Sequence, residues 1–414
     1  MVYVESETDH DLVVLDPNWL GQKLIGGLLS HERLMQTRPT GCFTKDDLEV
    51  YHVLVPDVNT ADALPILEAL ELCTPCDVDG DVEFEFPCFN FIETLSGLWE
   101  ANDRQQYASK TVYGGVRLRP PAGSPHLLIH QFPRLQVQLR RDFLQNHNSA
   151  DCDLYQWYHG SKYCTGSMEA MITLELGESV LDIKCRGPDD SRSELFYFFE
   201  DIYHIVMDSL SDMCPGLGLE RYLLSPRQLA EHVPSMNLYA YPPRDILTAQ
   251  LNNVTDVEAE NGRSEPMVDL ICFGSQEILS AAVLGVDLLV AHLNVHARRR
   301  VCAILDPADP MGRDWCLLAV TLGLSEALPQ LDAEPPQHTR QRSKTDRALE
   351  VWSRSPDATI GQLVKKLTEL GRDDAAQAVL SYAPLFHIFQ EDNSQVEPPS
   401  PQQSPVSDAT DASR

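Results

Sequence analysis

The sequence has few basic residues: its 414 residues include 32 Lys and Arg against 62 Asp and Glu, a formal net charge of −30. Nucleic acids and anionic membranes repel a chain this acidic, so neither is expected as a partner. No apolar run approaches the roughly 18 residues of a membrane helix. The first ten residues lack the basic and apolar regions of a signal peptide. The 11 cysteines are odd in number and scattered, which favours reduced thiols and a cytoplasmic location.

Motifs for nucleotide chemistry are also missing. A protein kinase needs a glycine-rich loop, a phosphate-pairing lysine, a His-Arg-Asp loop and Asp-Phe-Gly, and none of the four occurs in the sequence. The phosphate-cradling loop Gly-x-x-x-x-Gly-Lys-Ser/Thr of GTPases is absent as well. These absences predict that the chain is not an enzyme, has no catalytic residues and needs no cofactor.

One cysteine pair leaves an alternative open, a zinc- or thiol-dependent enzyme. Cys73 and Cys76 have the Cys-x-x-Cys spacing, but structural zinc needs a second close pair and only Cys88 lies near. The pair also lacks the βαβ context of a thioredoxin-like motif. We therefore expect no metal site there, and metal analysis would decide.

Composition divides the chain near residue 285. Residues 1–284 hold 19 basic against 44 acidic residues, whereas residues 285–385 hold 12 against 13. Such a break in charge marks a candidate domain boundary. The end of the chain, from about 392, is rich in Ser, Pro and Asp, which predicts a disordered tail at 392–414.

The first part reads as α+β. Asp16 and Pro17 fit the start of a helix, and later the apolar period changes from helical to two, which indicates strands. A long amphipathic helix follows around residues 195–206, and the polar stretch 252–265 is expected to be a loop. The predicted strands are Val112–Leu118, Leu135–Leu139, Met171–Leu176 and Val180–Cys185.

The last part, 285–385, reads as six short helices in a compact antiparallel bundle. Apolar residues recur at helical spacing, Thr359 fits a helix cap, and Gly371 suits a left-handed helix exit. The residues predicted to form the core are Leu293, Val301, Trp315, Leu318, Leu322, Leu349, Trp352, Leu363, Leu367 and Leu370.

Several stretches resemble the C-terminal part of death-associated protein kinases. Val14-Leu-Asp-Pro-Asn-Trp-Leu20, Val112-Tyr-Gly-Gly-Val116 and Tyr222-Leu-Leu-Ser-Pro-Arg-Gln-Leu229 are similar to their COR region, which is of the Roco type. The pattern Gly312-Arg-Asp-Trp-Cys-Leu-Leu-Ala319 and Leu370-Gly-Arg-Asp-Asp-Ala375 resembles a death domain. The resemblance implies a multidomain chain: an α+β COR-like region (12–230), a connecting segment (231–284), an all-α six-helix death domain (285–391) and the tail.

The resemblance also implies a function. The death domain would bind signalling proteins in apoptotic signal transduction, and the COR-like region would regulate or dimerise the chain. The chain would then be a non-catalytic scaffold segment in the cytoplasm. The alternative is a C-terminal fragment of a death-associated serine/threonine protein kinase that takes its description from the parent's kinase activity.

Charge suggests where partners would bind on the death domain. Basic residues cluster on a chain that is otherwise acidic, and consecutive residues of a helix cannot all face its core. Together with a turn of both signs at 372–374, they predict a surface that attracts an acidic partner. The predicted partner-binding residues are Arg298, Arg299, Arg300, Lys365, Lys366, Arg372, Asp373 and Asp374.

Overall fold

The fold is described from a computed structural model. It covers residues 2–4, 12–29, 38–50, 60–78, 81–95, 99, 110–121, 127–146, 152–177, 179–259, 262–333 and 343–389. The predicted disordered tail lies outside the described residues. No helix in the described ranges has the length and apolarity to cross a membrane.

A small unit precedes the main sheet. Phe43, Phe86 and Phe89 contact one another at its centre, and Leu24 and Leu67 are fully buried in the same core. A capping box begins its second helix, because the Thr44 hydroxyl accepts from the Asp47 amide and the Asp47 carboxylate accepts from the Thr44 amide. The elements are β1 (Val2–Val4), β2 (Leu12–Val14), a π-helix (Trp19–Ile25), α1 (Gly26–Leu29), β3 (Cys42–Phe43), α2 (Lys45–Val50), α3 (Thr60–Ala69), β4 (Thr74–Val78) and β5 (Asp81–Glu85). The predicted helix at Asp16 is thus largely a π-helix.

In the part of the chain that the structure describes, the largest sheet is antiparallel and has seven strands in the order β12-β11-β6-β10-β9-β8-β7. Its middle pair holds Ile183 opposite Val116 and Leu181 opposite Leu118, so that one face is continuously apolar. The strands are β6 (Thr111–Arg119), β7 (Cys152–Trp157), β8 (Gly160–Thr165), β9 (Met168–Glu175), β10 (Val180–Pro188), β11 (Glu220–Leu224) and β12 (Ala240–Tyr241).

Two long helices, α4 (Leu127–Asn146) and α5 (Arg192–Met213), accompany the sheet. The expected strand at 135–139 is therefore wrong, because these residues belong to α4. Leu128, Phe132, Leu135 and Leu139 are all buried and lie three or four residues apart, which is a helical period. Leu135, Val137 and Leu139 alternate with polar residues, as in a strand with one buried face. The helix produces the same pattern here because it buries Val137 as well.

Residues 225–259 and 262–284 are folded rather than a simple connection. The expected loop 252–265 contains two short paired strands, with Val257 opposite Glu265. Ser225 and Ser275 cap helices by accepting backbone amide hydrogens. The elements are α6 (Pro226–Ala230), α7 (Pro243–Leu251), β13 (Asp256–Glu258), β14 (Ser264–Pro266), α8 (Met267–Cys272), α9 (Gln276–Ala281) and β15 (Ala282–Leu284).

The C-terminal part is helical. Thr359 caps its helix through Oγ1, which accepts from the Gln362 amide at 3.2 Å, and Gly371 leaves that helix at φ 69°. Of the ten predicted core residues, Trp315 and Leu370 are half-buried and the other eight are at most 7% exposed. The elements are α10 (Val295–Leu305), α11 (Trp315–Thr321), α12 (Leu328–Asp332), α13 (Lys344–Trp352), α14 (Ile360–Glu369), α15 (Asp373–Tyr382) and β16 (Phe386–Ile388).

The helical part is joined to the sheet part along a seam. Strand β16 pairs with β15, so that Phe386 lies opposite Leu284. The buried Gln250 of α7 donates to the Leu385 carbonyl at 3.0 Å and accepts from the Val286 amide. Residue 285 must be glycine, because an added Cβ would lie 2.1 Å from the Pro384 carbonyl oxygen. One hydrophobic core runs through both parts.

Candidate interaction surface of the helical part

The three arginines of α10 differ in their surroundings. Arg298 is half-buried; its Nη1 lies 3.0 Å from Asp346 Oδ1 and its Nη2 donates to the Val290 carbonyl. Arg299 and Arg300 are exposed, and the Arg300 guanidinium lies 5.8 Å from the ring centre of Tyr382. Arg298 therefore packs α10 against its neighbours, whereas Arg299 and Arg300 lie at the surface, Arg300 beside Tyr382.

The two lysines of α14 also differ. Lys365 is exposed. Lys366 is half-buried and its Nζ donates to the Thr321 carbonyl at 3.1 Å. Since Thr321 is the last residue of α11, this contact places a cation at the negative end of a helix dipole. Lys366 thus serves the packing of α14 against α11.

Arg372 is buried, contrary to the sequence-based expectation, although Gly371, Asp373 and Asp374 beside it are exposed. Arg372 is only 8% exposed, and its side chain donates to the carbonyl oxygens of Ile304 and Arg313 and to both carboxylate oxygens of Asp374. The hydrogen bond from Arg372 is the leading cause that lowers the pKa of Asp374. The turn is therefore a clamp that closes the ends of α10, α11 and α15.

The predicted partner-binding residues do not form one patch. Helix α15 packs against both α10 and α14, so the arginines and lysines lie on two helices that flank a third. Among the predicted residues, the side-chain hydrogen bonds bring together Arg372 and Asp374. The exposed members are Arg299, Arg300, Lys365, Asp373 and Asp374.

An exposed apolar group on α11 was missed at the sequence level. Leu317 and Val320 are 37% and 43% exposed, and Cys316 beside them is exposed as well. The sequence did carry a signal, because Trp-Cys-Leu-Leu-Ala-Val is apolar on every side of a helix. A helix at the edge of a bundle can bury only one face.

The cysteine pair does not have the properties of a catalytic site. Cys73 and Cys76 are buried, and burial raises the pKa of the Cys73 thiol well above its ordinary value, which suppresses the reactive thiolate. Within the described ranges, no three His, Cys, Asp or Glu side chains are placed to hold a metal ion.

The helical part of the chain matches a known protein family. The family model described as "Death domain" matches residues 298–383, which run from the second turn of α10 to the end of α15. The chain therefore contains a death domain at its C-terminal side, after a sheet-rich part. This match supports protein–protein interaction in apoptotic signalling.

A known protein is similar over nearly the whole chain. It is the death-associated protein kinase dapk-1 of Caenorhabditis elegans, 35% identical over 389 residues, which cover 93% of this chain and 26% of the relative. The chain thus spans about a quarter of the length of the relative that it matches.

The expectation that the chain is not an enzyme is contradicted by this relative. The similarity extends over 389 residues to a protein that is a kinase by name, and it favours the alternative, a part of a death-associated kinase. The physical reason for the error is that the absence of catalytic motifs from one segment describes that segment alone, and the matched residues make up 26% of the relative.

Proposed function

We propose that this chain acts as part of a death-associated serine/threonine protein kinase and supplies that kinase with a protein-binding death domain. The observation that carries the proposal is the agreement between the death-domain match at 298–383 and the 35% identity to a death-associated kinase over 93% of the chain. The kinase activity and its cytoplasmic location are inferred for the gene product as a whole.

The kinase inference has a direct test. An antibody against the death domain should precipitate from cells an activity that transfers phosphate to serine or threonine of a generic substrate. The same precipitate from cells in which the gene is disrupted should be inactive. A precipitate that contains the chain but has no kinase activity would contradict the inference.

We further propose that Arg299 and Arg300 of α10 form an acidic-partner surface of the death domain, with Lys365 of α14 as a separate exposed cation. Their support is their exposure and the charge contrast between 285–385, which is nearly neutral, and the strongly acidic 1–284. Exposed charges steer association and change the fold little. The COR-like identity of 12–230, and regulation or homodimer formation through it, are proposals that rest on the sequence resemblance alone.

Charge reversal tests the surface. We expect the double variant Arg299→Glu, Arg300→Glu to lose proteins that the wild-type chain retains from cytosolic extract, with an unchanged melting temperature. Arg354→Glu, an exposed arginine after α13, is the matched control. Retention should also weaken as salt rises, because exposed charges are screened. Equal retention by the double variant at low and high salt would exclude this surface.

A further inference from the structure

Two histidines lie side by side at the surface, where the beginning and the end of the helical part meet. His292 belongs to a short 3-10 turn (Val290–His292) that precedes α10, and His387 belongs to β16, which follows α15. Their ring centres are 5.4 Å apart, and both side chains are exposed. We call these two residues the histidine pair.

The imidazole nitrogens of the histidine pair are accessible to a ligand. Among the described residues, each imidazole contacts the other and Phe389, and neither imidazole takes part in a hydrogen bond. The ring centre of Phe389 lies 4.5 Å from that of His387 and 5.8 Å from that of His292. A ring that packs against both imidazoles restricts their rotation, which lowers the entropic cost of holding them together on a ligand.

The separation of the two rings fits the binding of both to one metal ion. Zn²⁺ holds imidazole nitrogens at about 2.0–2.1 Å in tetrahedral geometry. With bonds of this length, the centres of two imidazoles on the same ion lie roughly 5–6 Å apart, and the separation in the histidine pair is 5.4 Å. Each imidazole has two nitrogens, so that a ring turned by half a rotation also presents one.

We propose that His292 and His387 bind one Zn²⁺ through one nitrogen of each imidazole, with water in the remaining positions. Imidazole suits Zn²⁺, whereas Mg²⁺ prefers oxygen ligands. A site with two protein ligands agrees with the finding that no three His, Cys, Asp or Glu side chains of the described ranges are placed to hold a metal ion. The net charge of −30 also attracts cations to the molecule.

A metal ion at the histidine pair would join the beginning of the helical part to its end. These two ends already touch, because the Asn294 side chain donates to the Tyr382 carbonyl at 2.6 Å. His387 also lies opposite Val283 in the pair of β15 and β16 at the seam. A ligand that binds the folded arrangement stabilises it by mass action. Zn²⁺ would therefore hold β16 in place and strengthen the attachment of the helical part to the sheet part.

Calorimetric titration of the full chain tests the proposal, after a chelator has removed metal ions and dialysis has removed the chelator. The probes are ZnCl₂ and MgCl₂. We expect saturable binding of Zn²⁺, at least about tenfold tighter than that of Mg²⁺, and a higher melting temperature with Zn²⁺. Absence of saturable Zn²⁺ binding would overturn the site, and equal binding of Mg²⁺ would contradict ligation by imidazole.

Two variants locate the binding. His292→Gln and His387→Gln change exposed side chains, so the chain should fold as before. Each variant removes one of two ligands, and we expect about a tenfold or larger loss of Zn²⁺ affinity at one site per chain. Zn²⁺ should then no longer raise the melting temperature. His130→Gln, at an exposed position of α4, is the control and should stay within about twofold of the wild type.

The variants also separate the histidine pair from the cysteines, which all of them retain. If both variants bind Zn²⁺ as tightly as the wild type, the ion is held elsewhere and the histidine pair is not the site. A loss in only one variant would contradict a shared ion. Binding to the wild type without a rise in melting temperature would contradict the link between the two ends. None of these failures would affect the proposed surface at Arg299 and Arg300.

Discussion

The sheet and the death domain differ in the kinds of side chain that they bury. One face of the sheet holds ion pairs that are almost fully buried: Arg117 Nε lies 2.7 Å from Asp182 Oδ1, and Arg186 Nη2 lies 2.7 Å from Glu169 Oε2. The core of the death domain is largely apolar, and its polar contacts lie at helix ends, as at Thr359. The sheet therefore depends on matched charges, whereas the death domain depends on apolar packing and caps.

The difference arises from what covers each surface. A half-buried strand usually points its polar residues to water, but Arg117 donates to the Ser235 carbonyl and the Arg186 guanidinium lies 4.6 Å from the ring centre of Trp99. Segments from outside the sheet thus close over its charged face. A buried ion pair adds little net stability, yet losing one partner is costly because the other charge remains buried.

The largest effect is expected from Asp182→Ala. It would leave Arg117 buried without its carboxylate. It would also remove a neighbour that favours the charged form of Lys184, whose pKa burial already lowers. We expect a loss of about 3–5 kcal/mol in the free energy of unfolding. Urea denaturation measures it, and Asp153→Ala, at an exposed position of the same sheet, should cost less than about 0.5 kcal/mol. A cost of Asp182→Ala equal to that of the control would show that the charged face is dispensable.

An intermediate loss in the free energy of unfolding is expected at the seam between the sheet part and the death domain. Gln250→Ala removes the donor to the Leu385 carbonyl and the acceptor of the Val286 amide, two backbone groups that would remain buried and unpaired. We expect a loss of about 1–3 kcal/mol.

Calorimetry checks whether this loss separates the two parts. The wild type should unfold in one transition because both parts share a core, and Gln250→Ala should broaden or split it. Gln276→Ala, at an exposed position of α9, is the control. Two resolved transitions in the wild type would mean that the death domain unfolds independently.

The sequence predicted the death domain better than the sheet for a physical reason. Its helices are recognisable from signals within about ten residues, such as Thr359 before a run of periodic leucines and Gly371 after it. The strand predicted at 135–139 failed because a period of two over five residues is too short to exclude a helix. The burial of Arg372 and the contact between Gln250 and Leu385 depend on residues far apart in the chain. No local sequence pattern predicts either of them.

The prediction of the binding residues was restricted for the same reason, because contacts between residues far apart in the chain decide which side chains are exposed. Helical spacing indicated that Arg298, Arg299 and Arg300 of α10 could not all face the core, and Arg299 and Arg300 are exposed. Spacing cannot show that Arg298 would meet Asp346 or that Lys366 would meet the end of α11, because those partners lie 48 and 45 residues away. The partner-binding role of the exposed residues stays a prediction.

The smallest effect is expected at the clamp of the death domain, where Asp374 pairs with Arg372. The folded pKa of Asp374 lies below its ordinary value of 3.8, with the hydrogen bond from Arg372 as the leading cause. A depressed pKa contributes stability above the unfolded value and loses it as the pH falls through the folded value. Because the carboxylate of Asp374 is half-exposed, we expect Asp374→Asn to cost less than about 1 kcal/mol at neutral pH.

The pH dependence separates this pair from a general charge effect. The melting temperatures of wild type and Asp374→Asn should differ at pH 6 and converge as the pH falls below 3.8, where the wild-type carboxyl becomes protonated. The control is Asp373→Asn. Asp373 lies in the same first turn of α15 and is subject to the same helix dipole, whereas the hydrogen bonds from Arg372 go to Asp374. The difference between this control variant and the wild type should be smaller throughout. If the two variants show the same pH dependence, the helix dipole and not the clamp stabilises the ionised Asp374.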